Sequence, residues 1–433
     1  MKTLLLVLVS ALAACRTAAP PAVDAFALLA AVDAAATRDL WPGFDPRTMP
    51  VALDDGTRTL LFRHPSPPPE FRPLAEHPGV FVSERRIVMA NTSVQLGGVE
   101  TATVLPPQSD APLPRRAALV VHELFHVYQR NHHPRWAANE ADLFLYPSSD
   151  ASLVAAQRLE AEALRRALVV DVCWTRAALD ERRARFARMP AAAVAYERGT
   201  ELNEGLATYV EQRALASSAA AVLPDPYFVP DAIRARAYRT GLALGRLLDR
   251  LQPGWRATLE RDDAPSLDEL LARSAPPTTC SLTADERRAA LARANADVAA
   301  LDQQHAKTLD AFLARDGWRI VVDTPAAPLW PNSFDPLNVQ LLAPGTVLHA
   351  RFVKLANDRA SIELLGHPAL TYADGAHPLF DGVRRVIVSG LAAEPRVTED
   401  RGAVTIEGDG ITIRANARVT RDGRTISLTN SEQ

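Results

Sequence analysis

His122-Glu123-Leu124-Phe125-His126 is the stretch around which the chain is organised. It has the form H-E-x-x-H. On an α-helix, residues i and i+4 stand one above the other on the same face, so both imidazoles can reach one ion. Imidazole nitrogen is a preferred zinc ligand, and a glutamate beside the pair is placed to take a proton from water. The surrounding residues support a helix over Ala117 to Arg130, closed by Pro134. Ala118, Leu119, Val120, Val121, Leu124, Phe125 and Val127 make it apolar nearly all round, the mark of a buried helix. Polar groups inside such a helix need partners, which a metal would supply to His122 and His126 together. The bland alternative is a pair of core histidines bonded to carbonyls.

Three positions compete for the third ligand. His132 stands six residues after His126, but Gln129 occupies the place where a sharp helix exit would want glycine; His132-His133 also reads as surface. Glu160 lies in a run rich in Arg and Glu, a pattern usual for a solvated helix face. The third is Glu204, in Leu202-Asn203-Glu204-Gly205-Leu206-Ala207-Thr208-Tyr209-Val210-Glu211. Leu202, Leu206, Tyr209 and Val210 can face a core there, and Gly205 and Ala207 allow close helix approach.

That segment resembles the L-N-E-G-[FL]-A-x-Y-x-E element of zinc aminopeptidases and related gluzincins. The resemblance implies Glu204 as third zinc ligand beside His122 and His126, with Glu123 as general base. Tyr238, in Ala237-Tyr238-Arg239-Thr240-Gly241, is similar to the Tyr-x-x-Gly helix start whose hydroxyl supports the oxyanion in that family. Tyr227 is the runner-up, and a half-buried structural tyrosine the alternative. Gly97-Gly98-Val99-Glu100-Thr101 faintly resembles the Gly-x-Met-Glu-Asn element of the aminopeptidases, in which case Glu100 would hold a substrate amine. An ordinary hairpin with a solvated glutamate is the alternative. In gluzincins a sheet-edge strand before the metal helix binds extended substrate, and these residues stand about where it would lie. The chain departs from the family in its spacing: residues 127–203 separate His126 from Glu204, far more than the aminopeptidases have. A largely helical insertion, 137–200, fills most of that gap and would have to return its ends to the site.

The N-terminus reads as a processing signal. Lys2 precedes an apolar run from Leu4 to Ala14, too short to span a bilayer but suited to a signal-peptide core. It ends Leu12-Ala13-Ala14-Cys15, which resembles the bacterial lipobox and implies a lipidated Cys15 as membrane anchor; a plain signal peptide is the alternative. Residues 1–14 would then be the signal and 15–23 a tether. Export would place the protein in the periplasm or on the cell surface, where Cys173 and Cys280 could pair or remain buried thiols. A net charge of −3, with signs well mixed over 433 residues, gives no reason to expect a nucleic-acid partner. Nothing in the sequence sets an oligomeric state.

Around this centre the expected class is α+β. A zincin-like, mainly helical catalytic domain spans 24–318, with a small mixed α/β layer in front of the metal helix. Within that layer Asp24 to Leu40 has helical spacing, and strand-like pieces cover Thr59 to Phe62, Val80 to Val82, Arg86 to Met89 and Val99 to Leu105. Leu282 to Arg315 is helical, with Leu291, Val298, Leu301, Leu309 and Phe312 as its inner face. From 319 to 433, short strands separated by turn pairs such as Asp422-Gly423 predict an all-β domain, a sandwich or small barrel. The expected activity is zinc-dependent hydrolysis of a peptide or protein substrate in the cell envelope. Two other classes stay open: a zinc hydrolase acting on a non-peptide substrate, and a non-catalytic lipoprotein binding a partner through its β domain.

Overall fold

The computed structural model describes residues 24–88, 91–105, 111–216, 224–262, 264–277, 280–324, 327–336 and 338–430. The signal stretch, Cys15 and the tether lie outside them. The chain forms two compact units, one of Met1–Pro134 with Val210–Ser217 and one of Arg135–Tyr209 with Ser218–Gln433.

In the first unit, α1 (Ala25–Ala35) is capped by Asp24, whose carboxylate accepts from the Phe26 and Ala27 amides. Six strands follow: β1 (Val51–Asp54), β2 (Thr59–Phe62), β3 (Arg72–Pro73), β4 (Val80–Ser83), β5 (Thr92–Leu96) and β6 (Val99–Val104). They lie in the order β3-β4-β2-β1-β6-β5, antiparallel except for the β1–β6 pair. β1 has no apolar–polar alternation to announce it because all four of its residues are buried. Residues 86–88 of the expected strand 86–89 make no ladder. There Arg86 bonds Asp54, and the Ile87 amide bonds the Thr59 hydroxyl, so side chains take the place of a neighbouring strand. α2 (Leu113–His132) packs against β5, β6 and α1. It starts before the expected Ala117 because Pro114 fits a first helical turn, whose amides lack intrahelical acceptors anyway.

The second unit begins with α3 (Ala151–Val169), α4 (Trp174–Phe186) and α5 (Ala191–Thr200). A π turn over Glu201–Gly205 leads into α6 (Leu206–Ala214), whose residues from Val210 on belong to the first unit, and then come α7 (Ile233–Leu251), α8 (Trp255–Arg261), α9 (Leu267–Ser274) and α10 (Ala284–Leu313). Of the helices of the 137–200 segment, α3 packs on α7 and α10, α5 on α7, and α4 on α3 and α9, so they help build the core of this unit. Cys173 and Cys280 form a disulfide, with Cα atoms 5.2 Å apart, that ties the start of α4 to the approach to α10. On α10 the buried residues are Ala294, Val298 and Phe312, whereas Leu291, expected inside, is 43% exposed.

The expected solvated face of α3 is not one. Glu160 is 1% exposed and accepts from Arg182 at 2.8 Å and Arg185 at 2.6 Å. Arg185 also grips both oxygens of Glu197, at 2.7 and 2.8 Å, and Arg182 both oxygens of Glu201, at 2.6 and 2.7 Å. Arg236 and the Tyr146 hydroxyl complete the cluster on Glu197. Burial pushes the Glu197 carboxyl up, but Arg185 and Arg236 outweigh it and hold it well below the usual carboxylate range.

From Trp318 the chain is all β, so the protein is α+β with a C-terminal β domain. Its strands form one twelve-stranded sheet. The long strand Ile411–Asp422 joins the halves: its first part pairs with Ala360–Leu365 and Ala403–Gly408, its second with Thr425–Asn430. Val322, Val347, Leu355, Ile362, Val386 and Ile413 meet in a single core, so the sheet curls into a half-barrel. Phe144, from the short 3-10 helix Glu140–Leu145, inserts into the same core.

One histidine of this domain carries a pH prediction. His349 is fully buried, with Nε2 3.1 Å from the Thr371 hydroxyl, and burial lowers its pKa to about 3. The unfolded chain therefore takes up a proton near pH 6.5 that the folded protein refuses. Stability is full above that pH and falls by about 1.4 kcal/mol per unit as pH drops toward 3. Comparing urea unfolding of wild type and His349→Phe at pH 7.5 and 5 should show the variant gaining relative to wild type in acid.

Candidate metal centre

α2 presents the H-E-x-x-H residues from a buried helix. His122 and Glu123 are each 6% exposed, and His126 is half-buried. The two Nε2 atoms face each other at 3.1 Å. On the other side of each ring, His122 Nδ1 lies 3.2 Å from Glu211 Oε2, and His126 Nδ1 lies 2.8 Å from Gln129 Oε1. A carboxylate and an amide oxygen can only accept, so both Nδ1 atoms carry the hydrogens. In the neutral rings the Nε2 atoms are then acceptors.

One ligand atom each from His122, His126 and Glu204 all lie within 4.8 Å of one another, and His122 and Glu204 are buried. The placement follows from local structure. Glu204 sits in the π turn that runs without a break into α6, and Glu211 follows it by two turns on the same helical face. The extra residue of a π turn rotates the side chains around it, and such turns recur at functional sites. Gly205 and Gly241 let α7 approach: a Cβ on either would lie 2.7 Å from the Cα of the other. Two imidazoles and one carboxylate, with an oxygen behind each ring, could hold a metal ion.

The remaining site residues are distributed as follows. Glu204 Oε1 accepts from Arg234 Nη2 at 2.6 Å, and its side chain is also bonded to Tyr238. Burial, then the Glu204 charge, push the Tyr238 phenol up, so it remains a proton donor. Tyr238 lies within α7, one turn in, and not at its first residue. Tyr227 is 63% exposed under Arg293 and lines a cavity of about 710 Å³ with Arg158, Arg165 and Arg166. His132 is exposed, its Nδ1 on the Tyr128 carbonyl at 3.0 Å, because α2 continues through Gln129 without turning away. Glu160 is committed to Arg182 and Arg185. Glu100 starts a hairpin strand, as expected, but is not solvated: it is 9% exposed and accepts from Gln95 and from Arg130 of α2. β6, which carries it, is not the sheet edge, because β5 lies outside it. The residues beyond the expected set are Glu211, Gln129 and Arg234. Glu211 could have been found from its two-turn offset to Glu204; Arg234 gives no sequence signal.

Compared with protein-family models, with curated proteins and with solved structures, the chain matches none.

Proposed function

We propose that this chain is a zinc-dependent hydrolase of peptide bonds in the bacterial cell envelope. The observation that carries the reading is that one ligand atom each of His122, His126 and Glu204 lie within 4.8 Å of one another, with an oxygen behind each imidazole Nδ1. His122, His126 and Glu204 would hold the ion. Bound zinc supplies a water of lowered pKa and a polarised carbonyl. Glu123, next to His122, takes a proton from the attacking water as its oxygen bonds the carbonyl carbon. It returns that proton to the nitrogen as the C–N bond breaks. Tyr238 donates its hydroxyl to the carbonyl oxygen as that oxygen gains negative charge. β5, one of the two edge strands of the sheet against which α2 packs, would offer an edge to an extended peptide. The Cys173–Cys280 disulfide and the Leu12–Cys15 stretch support export and lipid anchoring. No described helix is long and apolar enough to cross a membrane.

The test is cleavage of a peptide library by the purified protein as isolated, after chelation, and after zinc is restored. The expected result is cleavage that chelation abolishes and zinc restores. A zinc-loaded protein that spares every peptide but hydrolyses activated esters would move the substrate class. Absence of any chelator-sensitive hydrolysis would overturn the reading.

A further inference from the structure

We propose that the cleft between α3 and α10 binds a small organic acid, one anionic head on an apolar body. The cleft lies wholly within the second unit and does not rest on the reading of the metal centre. Arg158, Glu162, Arg165 and Arg166 are spaced i, i+4, i+7 and i+8 on α3 and form one stripe. Glu286, Ala290, Arg293 and Asp297 form the matching stripe on α10. The stripes are tied together twice, Arg158 to Asp297 at 2.7 Å and Arg166 to Glu286 at 2.6 Å. Between these ties α10 offers Ala289 and Ala290, whose side chains are too short to close the gap. A cleft of about 710 Å³ results, a size suited to a small molecule. Leu159, Leu282 and, from the loop before α7, Pro224 and Pro226 give it apolar walls.

The arginines specify the head group. Glu162 accepts from both Arg165 and Arg166, and Asp297 pairs with Arg158 and, at 3.5 Å, with Arg293. Donors are left over. Arg293 makes no hydrogen bond to a described residue, and Arg165 uses only Nε and Nη2, both on Glu162. Tyr227 brings these two guanidiniums together. Its exposed ring lies 4.9 Å under Arg293, and its phenol, after Glu162, raises the Arg165 pKa against the effect of burial. The Asp225 carboxylate accepts from the Tyr227 amide at 2.8 Å and so holds the backbone that carries the ring. With Asp225 counted, Glu162, Glu286 and Asp297 bring the acids level with the four arginines, so the cleft has little long-range field. A phosphate or polyanion would want an excess of cations. A single charge on an apolar body instead meets charge-assisted donors at short range, beside an aromatic ring and apolar walls. Arginines that only tied the two helices together would not distinguish an acid from the matching alcohol, which is the distinction to test.

The experiment is calorimetric titration of the full chain with octanoate and phenylbutyrate, with octanol and phenylbutanol as uncharged counterparts, and with inorganic phosphate. Wild type is compared with Arg165→Gln/Arg293→Gln, and thermal unfolding of each is followed alongside. At least one of the acids should bind wild type saturably, and its alcohol about 10–100-fold more weakly, the worth of hydrogen bonds to a charged group. The double variant should lose a similar factor for the acid. Its two side chains are 37% and 59% exposed, so the fold should tolerate the change. Should it not fold, Arg293→Gln alone carries the test, with a several-fold weakening expected. Failure of both acids to bind wild type at millimolar concentration overturns the proposal. So does equal binding of acid and alcohol, tighter binding of phosphate than of either acid, or unchanged acid binding by the folded variant.

Discussion

Glu123→Gln is expected to keep its zinc and lose its hydrolysis. The substitution preserves size and helix propensity at a position that is 6% exposed, and it leaves the Nε2 atoms of His122 and His126 and the Glu204 carboxylate in place. What it removes is the basic oxygen. An amide cannot take a proton from water at neutral pH, and a positioned general base contributes roughly 10²–10⁴ in rate. The expected readout is a fall of that size in kcat, with little change in KM and with zinc content unchanged. The contrast with Glu204→Ala is deliberate, since that change acts on zinc binding itself. Turnover of Glu123→Gln at the wild-type rate would sink the proposed role of Glu123 while leaving the metal centre intact.

The largest effect on stability is expected away from the metal, at Arg185. This guanidinium has no exposed surface, yet it bonds Glu160, both oxygens of Glu197 and the Tyr146 hydroxyl. Arg185→Ala leaves Glu160 sharing Arg182 with Glu201, and it takes from Glu197 its closest cation. Removing one member of a buried ion pair typically costs about 3–5 kcal/mol, because the partner's charge stays buried without compensation. Urea unfolding should show a loss of that order. Arg183→Ala, on the same helix with its side chain 72% exposed, should change stability by less than about 0.5 kcal/mol. Arg185→Lys should recover only part of the loss, because one ammonium cannot reproduce a fork that reaches two carboxylates. Equal behaviour of the 183 and 185 variants would contradict the reading of a buried network.

These residues also show what could be learned before the fold was known. The spacing of His122 and His126 is local, and a helix turns four residues into one face wherever it lies, so that part of the site was legible. Glu204 could be singled out from the residues around it, but the π turn that carries it and the contact of Gly205 with Gly241 could not. Glu160 was misleading for a physical reason. Charges three and four apart look the same in sequence whether they face water or a neighbouring helix of opposite charge, and α4 supplies Arg182 and Arg185 only in three dimensions. The C-terminal strands announced themselves only in part by alternation and turns, with Trp330–Phe334, Val339–Ala343, Ala369–Ala373 and Arg396–Asp400 giving no such signal, and their closure around one core required the long strand Ile411–Asp422 to pair on both sides. β1 was hidden by complete burial, and β5, whose sequence Thr-Ser-Val-Gln-Leu is largely polar, by its edge position. Arg234 lies far from Glu204 along the chain, and no periodicity links them.

The central claim is that His122, His126 and Glu204 hold one ion. Zinc stoichiometry of purified wild type, Glu204→Ala and His132→Ala, measured after dialysis against a weak chelator, tests it most directly. About one zinc per chain is expected for wild type and for His132→Ala, whose imidazole is exposed and bonded to the Tyr128 carbonyl, and marked loss for Glu204→Ala. Wild type without zinc, or Glu204→Ala holding it as firmly as wild type, would contradict the account.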